Sequence, residues 1–379
     1  MTDAQGVYSG IKAVMEQNNL LCDKMVGFAS DGASVMTGIH TGVAKRFKDD
    51  QPLLVATHCM AHRLQLVGEK SANSVPYILK YIGVLNQLAK ALKFSPKLQR
   101  ILKESKELQG ETGNKIHQVF FTRWLSFTDS VQSLTGQIAG VISALQAAAM
   151  ERGTEGRAVL HGVCDQIAST KFVLMTHFLA DVVGILGILS LSLQKDDLTY
   201  LCAKSNIDTA ILAIESMHTT PGPYTKEILA LLPDTAEDYF MYKGHDIKDS
   251  EAQRKKFKDA SVAFIDQVVT RLQIAFPDGI LMGAFITFSP KDRDLCDDAK
   301  QQANLEILLN HYTKLINKEA AFAEWSLLKF AMQQAKYRNL GMDSIFRHIL
   351  HPNRGTYPNL ALLVAVGLTL PITSVSCER

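Results

Sequence analysis

The sequence has few cysteines and no pattern that would join them. Its six cysteines are scattered over 379 residues, without a C-x-x-C pair or a dense framework, as is typical of reduced thiols in an intracellular protein. The amino terminus, MTDAQGVYSG, has neither a basic region nor an apolar stretch, so we expect no signal peptide. The sequence also lacks repeats and low-complexity tracts. These absences favour a folded intracellular protein.

The chain also has little net charge and no phosphate-binding glycine loop. The net charge of +2 argues neither for nor against nucleic acid, because a local basic surface is compatible with a balanced total. The stretch GASVMTG lacks the Lys-Ser/Thr pair of a P-loop. Cys377 has no glycine-rich elbow or ordered histidine that would make it a nucleophile. We therefore expect no small-molecule substrate.

Uninterrupted apolar runs of membrane-spanning length are missing as well. Residues 172–193 are strongly apolar, but His177 and Asp181 interrupt them. Residues 355–377 carry no charge, yet Pro358 and Pro371 enclose only about three helical turns, short of the roughly 20 residues that a bilayer requires. Buried helices explain both stretches better, so we expect no membrane partner.

The pattern of predicted secondary structure changes near residue 73. Residues 1–72 alternate helical patterns with two buried-strand candidates, MVGFAS (25–30) and PLLVATHC (52–59), as expected of a parallel α/β arrangement. Residues 73–355 are dominated by long helical patterns, including 124–149 and 157–195. The pattern predicts an α/β piece joined to a large all-helical segment, mainly helical overall.

Two polar clusters follow the predicted strands. Asp31 ends the first apolar run, where it either presents a carboxylate to a metal ion or simply begins a turn. THCMAHRLQL places His58, Cys59 and His62 within one helical turn, so that they can share a face. Zinc normally takes three or four protein ligands, and no matching Cys/His pair lies elsewhere. A packed cysteine with a polar histidine is the alternative.

The dipeptide Arg123-Trp124, in FFTRWLS, combines a guanidinium group with an aromatic ring. Such a pair suits phosphate binding and base stacking on unpaired nucleotides. The same dipeptide is also compatible with a helix start that buries its tryptophan.

Basic side chains recur in two places. Lys97, Arg100 and Lys103 are spaced by three residues after a Ser95-Pro96 helix start, and RKKFK (254–258) contains Arg254, Lys255 and Lys256. Either group is suited to contact a phosphate backbone. Solvated helix faces are the alternative for both.

Taken in order, these pieces resemble the hAT superfamily of DNA transposases, and more closely the vertebrate transposase-derived proteins that share SDGASVMTG. The similar stretches are GFASDGASVMTGIHTGVAKRF, HCMAHRLQL, TRWLS and YPNLALLVAVGLTLPITSVSCER. The resemblance implies a partial RNase H-like core (residues 1–72), a helical insertion domain (73–355), and a C-terminal segment (356–379) that returns to the core and supports dimerisation.

The resemblance also implies roles for single residues. In such cores, two aspartates and a glutamate hold two Mg²⁺ or Mn²⁺ ions for in-line displacement at phosphorus. Asp31 corresponds to the second aspartate and Glu378 to the glutamate, so both would be metal ligands. His62 would lie beside the active site, and Trp124 would support a distorted or flipped base.

The chain departs from the family pattern at its start. Only 24 residues precede MVGFAS, too few for the strand that should carry the first aspartate, and the family's zinc finger is also missing. Two of three carboxylates do not make a two-metal site. We therefore expect a nuclear, non-catalytic DNA- or protein-binding derivative that self-associates, needs no cofactor and is not an enzyme in this form. A fragment of an active, metal-dependent transposase and a helical interaction scaffold without a nucleic-acid role are the alternatives.

Overall fold

The computed structural model describes residues 3–111, 114–118, 124–151, 154–195, 198–295 and 297–374. The described chain is mainly helical, as predicted, with two small sheets. It divides into two compact units: unit 1 comprises Met1–Arg63, Ser192–Asn206 and Phe276–Arg379, and unit 2 comprises Leu64–Leu191 and Ile207–Ala275. The domain limits inferred from the resemblance, at residues 72 and 355, remain predictions.

The elements alternate only at the start of the chain and are mostly helical afterwards. The helices are α1 (Ala4–Gln17), α2 (Ser34–Thr37), α3 (Val43–Asp50), α4 (Met60–Ser74), α5 (Pro76–Lys93), α6 (Pro96–Gln109), α7 (Trp124–Thr135), α8 (Ile138–Glu151), α9 (Thr154–Ile167), α10 (Thr170–Ser192), α11 (Tyr200–Glu215), α12 (Pro223–Leu229), α13 (Glu251–Ala275), α14 (Ile280–Gly283), α15 (Asp298–His311), α16 (Lys318–Met332), α17 (Met342–Ile345) and α18 (Pro358–Thr369). The strands are β1 (Gly27–Ser30), β2 (Val55–His58), β3 (Tyr239–Tyr242) and β4 (His245–Lys248).

In unit 1, β1 and β2 lie inside the two predicted strand runs and pair in parallel, with Gly27 opposite Val55 and Ser30 opposite His58. The residues between them form α2 and α3, because parallel neighbours require a crossover connection. Phe47 on α3 packs against Phe28 on β1, with ring centroids 5.5 Å apart. This packing holds the carboxyl ends of both strands at one edge.

In unit 2, α10 lies at the centre. Among the described residues, α10 is the one continuous helix that is long and apolar enough to cross a membrane, with a mean hydropathy of 2.1. Two bent pairs of helices would also be long and apolar enough if each pair formed a single span. Protein surrounds α10, however, and 78% of its most apolar window is buried. The two polar residues that interrupt the run have partners: the His177 ring lies 2.8 Å from the Val173 carbonyl oxygen, and Asp181 binds the start of α12.

Three features of the helical segment differ from the prediction. Residues 73–355 are not all-helical, because β3 and β4 form an antiparallel hairpin. Its turn has positive φ at both Lys243 and Gly244, and the hairpin alternates exposed and buried residues along β3. The patterns at 124–149 and 157–195 each form two helices rather than one. The first breaks at Gly136, and the second breaks at Ser169, which bridges to Lys248 of the hairpin.

Candidate functional site

Asp31 lies at the carboxyl edge of the strand pair, directly after β1. Its side chain is exposed, and its Oδ1 accepts a hydrogen bond of 3.2 Å from the amide of Ala33. This bond closes a short turn that leads into α2, so the turn interpretation of Asp31 has a structural basis. Exposure at the carboxyl end of a parallel strand is also the position where α/β sheets bind ligands. The two interpretations are therefore compatible.

His58 ends β2 and lies next to Asp31's turn. Its ring packs against Gly32 so closely that a Cβ added to Gly32 would lie 2.5 Å from His58 Cε1. Within the described part of the chain, its buried Nε2 has no hydrogen-bond partner. Burial above all, together with the charges of Arg63 and His62, lowers the pKa of His58 to about 4 against a smaller opposing effect of Asp31. The imidazole is thus neutral at physiological pH.

His62 lies one helical turn further on, in α4, with its ring centroid 5.4 Å from that of His58. Its catalytic role stays a prediction.

Cys59 faces away from this edge and into the core, where it is 1% exposed. Burial raises the pKa of its thiol, but hydrogen bonds from Ser374, Thr373 and the backbone of His62 outweigh burial and leave that pKa below its ordinary value. Its sulfur accepts a bond of 3.3 Å from the Ser374 amide. Among the described residues, no three His, Cys, Asp or Glu side chains converge as metal ligands would.

Residues 370–374, within the C-terminal segment, pack directly beside the two strands. The Thr57 hydroxyl on β2 donates a hydrogen bond to the Pro371 carbonyl, and the Met60 amide donates one of 3.0 Å to the Ile372 carbonyl. On β1, a Cβ added to Gly27 would lie 2.3 Å from Pro371 Cδ. A segment more than 300 residues away in the chain thus returns to the strands that carry Asp31 and His58. Glu378, the predicted second metal ligand, lies outside the described residues.

The predicted basic stripe occupies the exposed face of α6. The Ser95 hydroxyl caps this helix by accepting a hydrogen bond from the Leu98 amide at 3.2 Å. Arg100 and Lys103 form long ion pairs with Glu104 at 3.8 Å and Glu107 at 4.0 Å. Pairs this exposed contribute little stability, so both cations can exchange their partner for a phosphate. Lys97 is exposed on the same helix.

The second predicted cluster divides into one structural residue and two exposed ones. The Arg254 guanidinium binds the buried carboxylate of Asp249 at 2.6 Å and the Pro233 carbonyl at 2.8 Å. Its donors therefore hold the start of α13 in place. Lys255 and Lys256 are exposed on that helix. Of the predicted pair Arg123-Trp124, Arg123 lies outside the described residues, and Trp124 is the first residue of α7.

Sequence reasoning missed a convergence of three lysines from separate helices of unit 2. Burial lowers the pKa of Lys171 on α10, and the charges of Lys80 on α5 and Lys256 on α13 lower it further. The Lys171 ammonium lies 4.3 Å from the ring centroid of Tyr77, at cation–π distance. We call Lys80, Lys171, Lys256 and Tyr77 the lysine patch. No periodicity reveals it, because its members are far apart in the chain.

Three members of the lysine patch, Tyr77, Lys80 and Lys171, line a cavity of about 240 Å³. One carboxylate, Asp165, is among the residues that line this cavity, and it is paired with Lys248 at 2.9 Å. The positive charges of the patch are therefore not neutralised by that acidic neighbour. A basic surface with an adjacent aromatic ring is suited to a nucleic-acid backbone.

No protein-family model matches this chain.

Proposed function

We propose that this chain is a degenerate hAT-type transposase derivative that holds DNA without cutting it. In this proposal, unit 1 contains a partial RNase H-like core, and Asp31 descends from a metal-binding aspartate. The contacts of residues 371–374 with Thr57, Cys59 and Met60 support it. The resemblance implies a C-terminal segment that comes back to the strand pair after a long insertion.

DNA binding is the part of the proposal for which unit 2 supplies residues. The observation that carries it is the lysine patch, in which Lys80 and Lys171 line one cavity beside Tyr77 and the charge of Lys256 reaches Lys171. Neighbouring ammonium groups repel one another, and a polyanion that neutralises them relieves this repulsion. The exposed cations of α6 would extend such a surface. A nuclear location follows from this proposal.

The absence of strand cleavage is proposed from the chemistry that two-metal catalysis requires. Such sites hold their ions with several carboxylates, and removing one member of a unit that acts together costs most of the activity. Among the described residues, Asp31 is close enough for its charge to act on His58, His62 lies beside His58, and no three His, Cys, Asp or Glu side chains converge there. We therefore expect this chain by itself to bind Mg²⁺ or Mn²⁺ too weakly for catalysis.

A second candidate function is that of a working part of an active transposase. It is favoured by the exposure of Asp31 at the carboxyl edge of β1, where nothing in the described chain covers the carboxylate. In that case a further aspartate would have to come from outside this sequence. Cleavage assays separate the two functions.

Self-association is proposed for unit 1 near the C-terminal helix. Leu362 on α18 and Leu327 and Phe330 on α16 are exposed apolar side chains. The two helices pack against each other, so these side chains belong to one pair of elements. Exposed apolar groups in such numbers mark interaction surfaces in soluble proteins.

Charge reversal in the lysine patch tests the DNA-binding proposal. We expect the double variant Lys80→Glu, Lys256→Glu to bind labelled duplex DNA at least about tenfold more weakly, because two phosphate contacts become repulsive. Fluorescence anisotropy between about 50 and 200 mM salt measures both affinity and salt slope, and we expect the slope to fall by about 2 in magnitude.

Lys226→Glu provides the matched control, since Lys226 is an exposed lysine of unit 2 on α12, outside both basic clusters. It should leave DNA affinity within about twofold of the unsubstituted chain. Equal binding by the double variant and the unsubstituted chain would contradict the proposal. So would a salt-independent affinity.

A further inference from the structure

A second cavity of unit 2 is lined by cations from three consecutive segments. It has a volume of about 610 Å³, which is within the usual range for small-molecule sites. Lys93 at the end of α5, Lys103 and Lys106 on α6, and Lys115 and His117 in the following loop all line it. No Asp or Glu is among its described lining residues. We call this cavity the basic pocket.

Residues 114–118, the loop that lines one side of the basic pocket, are held in place by side chains of α7 and of the α7–α8 connection. Ser133 and Gln137 both donate hydrogen bonds to the Asn114 carbonyl, and Ser130 donates one of 3.0 Å to the His117 carbonyl. Ile116, between Lys115 and His117, is 4% exposed. The backbone of this loop is thus fixed, while Lys115 is exposed.

The remaining lining combines the amide side chains of Gln99, Asn114, Gln118 and Gln137 with an apolar floor. Leu92, Leu102 and Ile116 contribute the floor, together with Ala89. Walls of one charge sign around a low-dielectric floor concentrate the electrostatic field and attract ions of the opposite sign. Several ammonium groups on a concave surface suit adjacent phosphates, and the floor suits a flat apolar ring.

We propose that the basic pocket binds a phosphorylated compound that carries adjacent phosphates and a flat ring, as a nucleoside triphosphate does. The shared chemistry is also present at the 5′ end of a nucleic-acid strand. This ligand class is not among those that the sequence predicts. The inference does not depend on the lysine patch, because no residue of the patch lines the basic pocket.

Isothermal titration calorimetry of the full chain with ATP, inorganic tripolyphosphate and a 5′-phosphorylated single-stranded oligonucleotide tests the inference. We expect saturable one-to-one binding of ATP, with weaker binding of tripolyphosphate because it lacks the ring. Lys115→Glu should weaken ATP binding at least about tenfold, because it removes a phosphate contact and adds a repulsive charge. Lys106→Gln, which removes the charge but keeps a polar side chain, should weaken it about threefold or more.

Lys97→Glu is the matched control, since it changes the same charge on α6 outside the pocket lining. It should leave ATP affinity within about twofold. The inference is overturned if ATP and tripolyphosphate do not bind, if Lys97→Glu weakens ATP as much as Lys115→Glu does, or if only the oligonucleotide binds. If the chain retains DNA but does not bind ATP, this inference alone is refuted. If it binds ATP but does not retain DNA, the proposed function alone is refuted.

Discussion

Replacing Asp181 by alanine is expected to lower the free energy of unfolding of unit 2 by about 3 kcal/mol, because a buried acceptor of several hydrogen bonds is lost. Asp181 on α10 is 6% exposed. It accepts hydrogen bonds from the Tyr224 amide at 3.0 Å and from the Thr225 amide and hydroxyl at 2.9 and 2.6 Å. Without it, the first amides of α12 would be left without partners in a largely buried place.

Urea unfolding followed by circular dichroism measures this change, and hydrogen exchange at Tyr224 and Thr225 shows whether it starts at α12. Asp165→Ala is the matched control, because the carboxylate of Asp165 is 62% exposed and paired with Lys248 at the surface. We expect that control to cost less than about 1 kcal/mol. Unfolding of Asp181→Ala at the same urea concentration as the unsubstituted chain would refute the assignment of Asp181 as the cap of α12.

Replacing Gly27 by alanine is expected to lower the free energy of unfolding of unit 1 by about 2 kcal/mol, because the added methyl group meets a packed neighbour. That methyl carbon would lie 2.3 Å from Pro371 Cδ and 3.2 Å from its Cγ. Proline cannot turn its ring away, so either β1 or the C-terminal segment has to shift. We expect residues 370–374 to leave the strand pair.

Hydrogen exchange at the Met60 amide reports this shift, since that amide donates to the Ile372 carbonyl. Gly10→Ala is the control within the same unit: a Cβ at Gly10 has nothing within 4 Å, and α1 should gain up to about 1 kcal/mol from the change. Unchanged protection of Met60 in Gly27→Ala would show that the segment is not held against β1 and would remove the main support for a returning C-terminal segment.

Local signals in the sequence were sufficient to predict the helical majority and the two parallel strands. MVGFAS and PLLVATHC are short apolar runs bounded by polar residues, and the strands lie within them. Asp31 was placed correctly after the first strand for the same reason. Whether the pair belongs to an RNase H-like sheet stays a proposal.

Features that depend on tertiary contacts could not be predicted in this way. The hairpin at Tyr239–Tyr242 and His245–Lys248 is short. Its turn places Lys243 at a positive φ, a backbone conformation that few residues other than glycine favour. The lysine patch and the role of Arg254 depend on which helices meet. Charge runs along one helix therefore identified Lys256 but neither Lys80 nor Lys171.

The most direct test of the central claim is an assay of DNA retention and DNA cleavage by the same preparation of this chain. Labelled duplex is incubated with Mg²⁺ or Mn²⁺, then resolved on native gels for binding and on denaturing gels for strand breaks. The proposed function predicts retention that weakens steeply with salt, and intact strands with either metal. Metal-dependent nicks that disappear in Asp31→Asn would contradict it and establish Asp31 as a working ligand of an active transposase.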